Sequence, residues 1–212
     1  MGLRICVPLG ALLPGSVAAL ERAGVDVSPL RDAGRRLILE GADGITFITT
    51  RPSDVPTYVE SGAADLGIVG KDVLRERDPD VYEVLDLGFG ECRMVYATRE
   101  GEDPTPAALE HLGVVRVATK YPITAIAHFT STGRQVEVVK VNGSVELAPL
   151  VGLAHGIVDL VATGRTLREN GLVEREAIFA SSARLIVNRV SQTLRAEELD
   201  ALVERMAPPP GS

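Results

Sequence analysis

Short apolar runs recur along the chain: "ITFIT", "LGIVG", "RMVYA", "VRVAT", "VEVVKV", "GIVDLVA" and "RLIVNRV". Each has strand length and is bounded by glycine, proline or polar residues, which predicts strands rather than buried helices. Between them, "SDVPTYVESG" and "SVELAPLVGLAHG" read as helices that begin at a Ser cap and end at Gly. Pro56 and Pro149 fall early in these segments, where a missing N–H costs least. The alternation predicts an α/β protein with largely parallel sheets. At the start, Leu3–Val7 reads as a strand, Pro8–Pro14 as a loop and Ser16–Ala23 as a helix closed by Gly24. This segment loosely imitates a signal peptide, but Pro8, Gly10, Pro14 and Gly15 interrupt its apolar run. No run reaches the ~20 apolar residues of a membrane helix.

With 212 residues, 45% of them hydrophobic, the chain can bury a sizeable core as one large or two small domains. A formal net charge of −7, without a basic run, argues against a nucleic-acid surface and for small molecules or proteins as partners. Any anionic ligand must then be held by local cations and backbone amides. Cys6 and Cys92 lie in apolar runs without metal-ligand spacing and read as buried, reduced thiols of a cytosolic protein. His111, His128 and His155 are scattered, which argues against a zinc site.

The segment "VDLVATGRTLRENG" (158–171) is the least like ordinary packing. An apolar run carries one acid, Asp159, and opens into Thr163, Gly164, Arg165 and Thr166 ahead of a helix. Two readings fit these residues. Amides and hydroxyls there can hold a phosphate while the carboxylate accepts from sugar hydroxyls, or the segment is a strand followed by an ordinary helix cap. The segment also has an echo. "DLGIVGKDVLRE" from Asp65 and "DLVATGRTLRE" from Asp159 each place Gly five positions after Asp, then a cation, then Leu-Arg-Glu. Such an echo suggests two similar α/β lobes, each aiming a strand-to-helix loop at a common cleft. Chain crossings near "GFGECRM" and "ASSARLI" divide the chain into lobe I (1–90 plus 184–212) and lobe II (91–183).

Four stretches carry a family likeness: "RPSDVPTYVESGAADLGIVGKDVL" (51–74), "VYEVLDLGFGECRMVYA" (81–97), "VNGSVELAPLVGLAHGIVDLVATGRTLRENGLVE" (141–174) and "ARLIVNR" (183–189). The chain resembles the ATP phosphoribosyltransferases in their short form, over nearly its whole length. The resemblance implies a two-lobed α/β fold of the periplasmic-binding-protein type II, with a central cleft between two mixed, mostly parallel sheets. It implies attack of N1 of ATP on C1′ of phosphoribosyl pyrophosphate, the first step of histidine biosynthesis, with Mg²⁺ carried by the substrates and no metal site on the protein. Arg51, Arg35 and Asp159 become the catalytic candidates, the two arginines on pyrophosphate. Glu146 joins Asp159 on the ribose hydroxyls. Ala162, Thr163, Gly164, Arg165 and Thr166 take the 5-phosphate, and Gly10, Gly70 and Lys71 complete the substrate contacts. The short form further implies a cytoplasmic homodimer within a hetero-oligomer that includes a regulatory subunit similar to histidyl-tRNA synthetase. The tail "MAPPPGS" reads as having no further domain after it.

The chain departs from the family pattern in its cations. Leu9 and Ala11 stand where the family has Lys and Arg, Ile126 and Ala127 where it has an Arg pair, and His155-Gly156 replaces an acid. Removing one buried charge-assisted hydrogen bond costs ~1.5–3 kcal/mol. Arg4, Lys71, Lys120 and Arg165 are the cations expected to compensate. Three readings follow: the transferase, a catalytically weakened relative serving as a binding or scaffold subunit, and a solute-binding protein of the same architecture.

Overall fold

The computed structural model describes residues 2–208. The chain forms two compact units, residues 2–90 with 182–208, and residues 91–181.

The first unit contains β1 (Arg4–Pro8), α1 (Leu13–Arg22), α2 (Ser28–Arg31), β2 (Ile38–Glu40), β3 (Thr46–Thr50), α3 (Val55–Glu60), β4 (Leu66–Gly70), α4 (Lys71–Arg77) and β5 (Tyr82–Asp86). The second contains β6 (Cys92–Arg99), α5 (Thr105–Leu112), β7 (Val115–Thr119), α6 (Pro122–Ser131), β8 (Val136–Lys140), α7 (Leu147–Leu150), β9 (Gly156–Val161), α8 (Arg165–Glu169) and β10 (Leu172–Ser181). The chain then returns to the first unit as β11 (Ala183–Val187), α9 (Arg189–Leu194) and α10 (Ala196–Met206). The return falls at Ser182 because Ala183 already pairs with Gly70 of β4.

The first sheet runs β2-β3-β1-β4-β11-β5 and the second β10-β6-β9-β7-β8. Both are mixed. The parallel pairing expected to predominate is confined to β3-β1-β4 and β9-β7-β8, and the remaining pairs are antiparallel. Strands β5 and β10 lie at sheet edges, where propensity alone does not flag them. The ten residues of β10, "LVEREAIFAS", lie along such an edge without polar–apolar alternation, and their register against β6 shifts twice.

Each sheet has a core on both faces, which is why its strands read as nearly continuous apolar runs. In β4, Leu66 and Ile68 join one core with Leu20, Leu185 and Leu202. Val69, on the opposite face, joins Val55 and Val59 of α3. Gly67 is required there, since a Cβ would come within 2.7 Å of Val55 Cγ1. In β9, Ile157 and Val161 face Val145, Ala148 and Leu167. Val158 faces Phe129 and Tyr96, whose rings meet edge to face at 5.1 Å.

Two helix readings change. Ser53 lies in a short 3₁₀ turn and α3 begins at Val55 without a side-chain cap. The segment 144–156 holds only the single turn α7, because Ser144 takes a left-handed backbone (φ 40°) that starts the helix late. Asn188 is a cap that composition did not single out: its side chain accepts from Ser191 N–H at 2.9 Å while its amide donates to the Val59 carbonyl. Cys6 is fully buried, and burial pushes its thiol up to about 12. Cys92 is only half-buried, at the first position of β6.

Candidate active site

Strand periodicity builds the site of the second unit. Successive side chains in β9 point to opposite faces, so Asp159 shares the face of Ile157 and Val161, over which α7 and α8 pack. Asp159 is buried and Glu146, immediately ahead of α7, is half-buried. Both line one cavity of about 270 Å³ together with Ala162, Thr163, Gly164, Arg165 and Thr166. The lower end of small-ligand pockets is roughly 300 Å³, so the volume is of the size of one phosphorylated sugar end.

The loop between β9 and α8 is short, and Gly164 makes it possible. Its φ of 72° is left-handed, a conformation that a β-branched side chain adopts only with strain. Among the described residues, the backbone N–H groups of Thr163, Gly164 and Thr166 meet no protein acceptor, and Arg165 N–H reaches only Thr163 Oγ1 at 3.4 Å. The Arg165 guanidinium pairs instead with Glu169 at 2.7 Å, one helical turn on and exposed. Arg165 therefore offers the loop its amide, while its side chain sits in a weak surface pair that a ligand can displace. Two arginines outside the expected set hold the loop from behind. Arg93 Nη1 donates to the Ala162 carbonyl at 3.4 Å, and Arg168 Nη1 donates to the Thr163 carbonyl at 3.2 Å.

The first unit gathers its candidates at one end of its sheet. Leu9 N–H donates to Thr50 O, so Gly10 and Arg51 follow the adjacent ends of β1 and β3, and Gly70 with Lys71 follows β4 beside β1. Thr49 N–H donates to Leu37 O, which brings the turn holding Arg35 to the same end. Arg51 and Arg35 are exposed, and neither joins an ion pair among the described residues. Lys71 is different: its Nζ is ion-paired with Glu83, which Arg184 also approaches at 3.5 Å. Its charge is largely matched within the protein.

Arg4 does not compensate for missing cations. It opens β1 at the opposite end of the strand, where its guanidinium donates to Gly62 O and its backbone N–H to Asp65 Oδ2. Lys120 follows the end of β7 and is exposed, as are Ile126 and Ala127 on α6. Leu9 and Ala11 are exposed beside Gly10, so cations there would be solvent-facing. His155 caps a strand pair: its Nδ1 accepts from Arg116 N–H at 2.9 Å. No group of three or more metal-type side chains occurs among the described residues, and no helix among them is long and apolar enough to cross a membrane.

Two α/β units with these mixed sheets define a fold class shared with periplasmic solute-binding proteins. The aliphatic sulphonate-binding protein SsuA of Escherichia coli matches with a TM-score of 0.60 over 96% of this chain and 70% of that one, at 11% identity, which is a likeness of fold alone. A family model described as ATP phosphoribosyltransferase matches residues 51–208. An ATP phosphoribosyltransferase of Rubrobacter xylanophilus is 56% identical over 203 residues, covering 95% of this chain and 94% of that protein. The ATP phosphoribosyl transferase (HisG:HisZ) complex from Thermotoga maritima contains a chain matching with a TM-score of 0.82 at 33% identity, over 97% of this chain and 96% of that one. The chain belongs to the ATP phosphoribosyltransferase family and is a transferase of histidine biosynthesis.

Proposed function

We propose that the chain transfers phosphoribosyl from phosphoribosyl pyrophosphate to N1 of ATP with the second-unit cavity holding the sugar end of the donor. The observation that carries this reading is the convergence of Glu146, Asp159 and the loop 162–166 on one cavity. Loop amides without protein acceptors and the Thr163 and Thr166 hydroxyls suit the 5-phosphate; two carboxylates suit ribose hydroxyls. As N1 attacks C1′, the bond to pyrophosphate breaks and positive charge develops on the ribose ring. Asp159, buried beside the ring, favours that charge. Arg51 and Arg35, both exposed, are assigned to the leaving pyrophosphate, and Gly10 and Gly70 to close backbone approach at the same end of the first sheet. Lys71 acts there only by exchanging Glu83 for substrate.

Mg²⁺ fits as a passenger on the substrates: Glu146 and Asp159 on the cavity match its habit of binding one or two carboxylates plus substrate phosphates. When bound, it neutralises charge on the leaving group. The Thermotoga complex supports a hetero-oligomer, to which we assign a homodimer of this chain together with a regulatory subunit similar to histidyl-tRNA synthetase, in the cytoplasm. Nothing among the relatives favours the weakened-relative or solute-binding readings.

The test is formation of phosphoribosyl-ATP by the purified chain, alone and with a HisZ-type subunit. Turnover in either condition, lost in Asp159→Asn, is the expected result. No turnover in both conditions would overturn the assignment.

A further inference from the structure

The phosphate loop is held by two arginines that the family likeness did not bring forward. Arg93 opens the pairing of β6 with β9 opposite Val161, the last strand residue before the loop. One edge of its guanidinium is bound by Glu174 of β10, at 2.6 Å from Nη2 and 3.0 Å from Nε, which leaves Nη1 facing the Ala162 carbonyl. Arg168, on α8, reaches back one turn to the Thr163 carbonyl and lies close enough to Gly164 that an added Cβ would meet its Nη1 at 3.0 Å. Two consecutive carbonyls are thus each taken by a separate guanidinium.

Peptide geometry gives this a consequence. The chain has no cis peptide among the described residues, and in a trans peptide the C=O of one residue and the N–H of the next point opposite ways. Holding the Ala162 carbonyl aims Thr163 N–H away from Arg93. Holding the Thr163 carbonyl aims Gly164 N–H away from Arg168. Ala162, Thr163 and Gly164 line the cavity, and neither arginine does. We infer that Arg93 and Arg168 are positioning residues that fix the two peptide planes with their N–H groups toward the donor's 5-phosphate. This rests on the assignment of the loop to that phosphate. It makes the two guanidiniums act through the backbone, not as direct ligands, and Glu174 serves to orient one of them.

The test compares Arg93→Met, Arg93→Lys and Arg168→Met with the parent and with Gly164→Val. Ribose 5-phosphate affinity is measured by calorimetry, KM for both substrates and kcat by assay, and melting temperature separately. Each Met variant should weaken ribose 5-phosphate binding about fivefold and raise KM for phosphoribosyl pyrophosphate in step, with KM for ATP unchanged. Arg93→Lys, able to keep Glu174 or the carbonyl but not both, should fall between. Arg168→Met touches no strand pair and carries the test alone if Arg93→Met does not fold. Folded Met variants that bind ribose 5-phosphate like the parent, whatever their melting temperatures, overturn the positioning role while Gly164→Val still loses binding. A parent that does not bind ribose 5-phosphate, or a Gly164→Val protein that binds as the parent does, overturns the loop assignment and this inference with it.

Discussion

The turns after β4 and β9 begin from nearly the same sequence and end as different devices. Each strand lies between one parallel and one antiparallel neighbour, β4 between β1 and β11, β9 between β7 and β6. Each carries Asp five residues ahead of Gly. Yet Asp65 precedes β4, so the five residues to Gly70 are all strand and α4 starts directly behind it. Asp159 is the fourth residue of β9, so the same five residues include only two more of strand and then a loop. Gly70 is extended (φ −72°), whereas Gly164 is left-handed. Asp65 is saturated: it meets Ser191 Oγ at 2.7 Å, Arg4 N–H at 2.8 Å and Arg195 Nη1 at 3.4 Å. A shift of four residues in strand phase turns one motif into a structural anchor and the other into a cavity. Equal spacing in sequence is therefore no measure of equal role.

The carboxylates should break apart under the same substitution. Asp65→Asn leaves two arginines facing a neutral amide and should cost about 2–4 kcal/mol of stability, read by denaturant unfolding, with turnover per folded molecule retained. Asp159→Asn should keep the fold and lower kcat by roughly 10²-fold, more than it changes either KM. A change confined to KM for ATP would remove Asp159 from the ribosyl centre.

The glycines sharpen the contrast. Gly164→Val should lower phosphoribosyl pyrophosphate affinity more than about tenfold in a folded protein, by strain at positive φ and by crowding the loop. Gly70→Ala places a Cβ 2.2 Å from Asp72 Oδ1 and should cost about 1–2 kcal/mol of stability, with a smaller loss of phosphoribosyl pyrophosphate affinity than Gly164→Val because Gly70 needs no left-handed backbone. Equal substrate profiles for the two variants would erase the distinction between the two turns.

A smaller gain is expected from adding charge to the first unit. Leu9→Lys with Ala11→Arg places two cations beside Gly10 and should raise kcat/KM about tenfold, the worth of one charge-assisted hydrogen bond, shrinking with added salt because both positions are exposed. No gain would mean that Arg51 and Arg35 already supply the field.

The smallest effect lies away from both turns. Arg134 binds Glu176 through two hydrogen bonds and, with His128, holds its carboxyl below the usual glutamate range. A depressed acid stabilises the fold above its unfolded pKa, and that stability is lost as pH falls through the folded value. Glu176→Gln should therefore cost about 1 kcal/mol near neutral pH, with the difference from the parent closing below about pH 4, in melting curves across pH. Ribose 5-phosphate affinity should not change.

Much of this was legible in the chain itself. The apolar runs "LGIVG" and "GIVDLVA" became interior strands because two-sided burial leaves a composition signal that neighbours do not alter. Gly164 and the hydroxyls around it announced a loop, since local backbone chemistry needs no tertiary partner. The strand runs "GIVDLVA" and "LGIVG" already put Asp159 inside its strand and Asp65 outside its own. The face each side chain takes was not legible, because one residue of slip reverses every side chain and only pairing, of β9 with β6 and β7 and of β4 with β1 and β11, fixes the register. Nor could charge counting see that Arg4 serves Asp65 and Lys71 serves Glu83, or that Arg93 and Arg168 stand behind the loop. A cation's role depends on which oxygen it meets, and partners such as Arg93 and Ala162, 69 residues apart, meet only when the sheet is assembled.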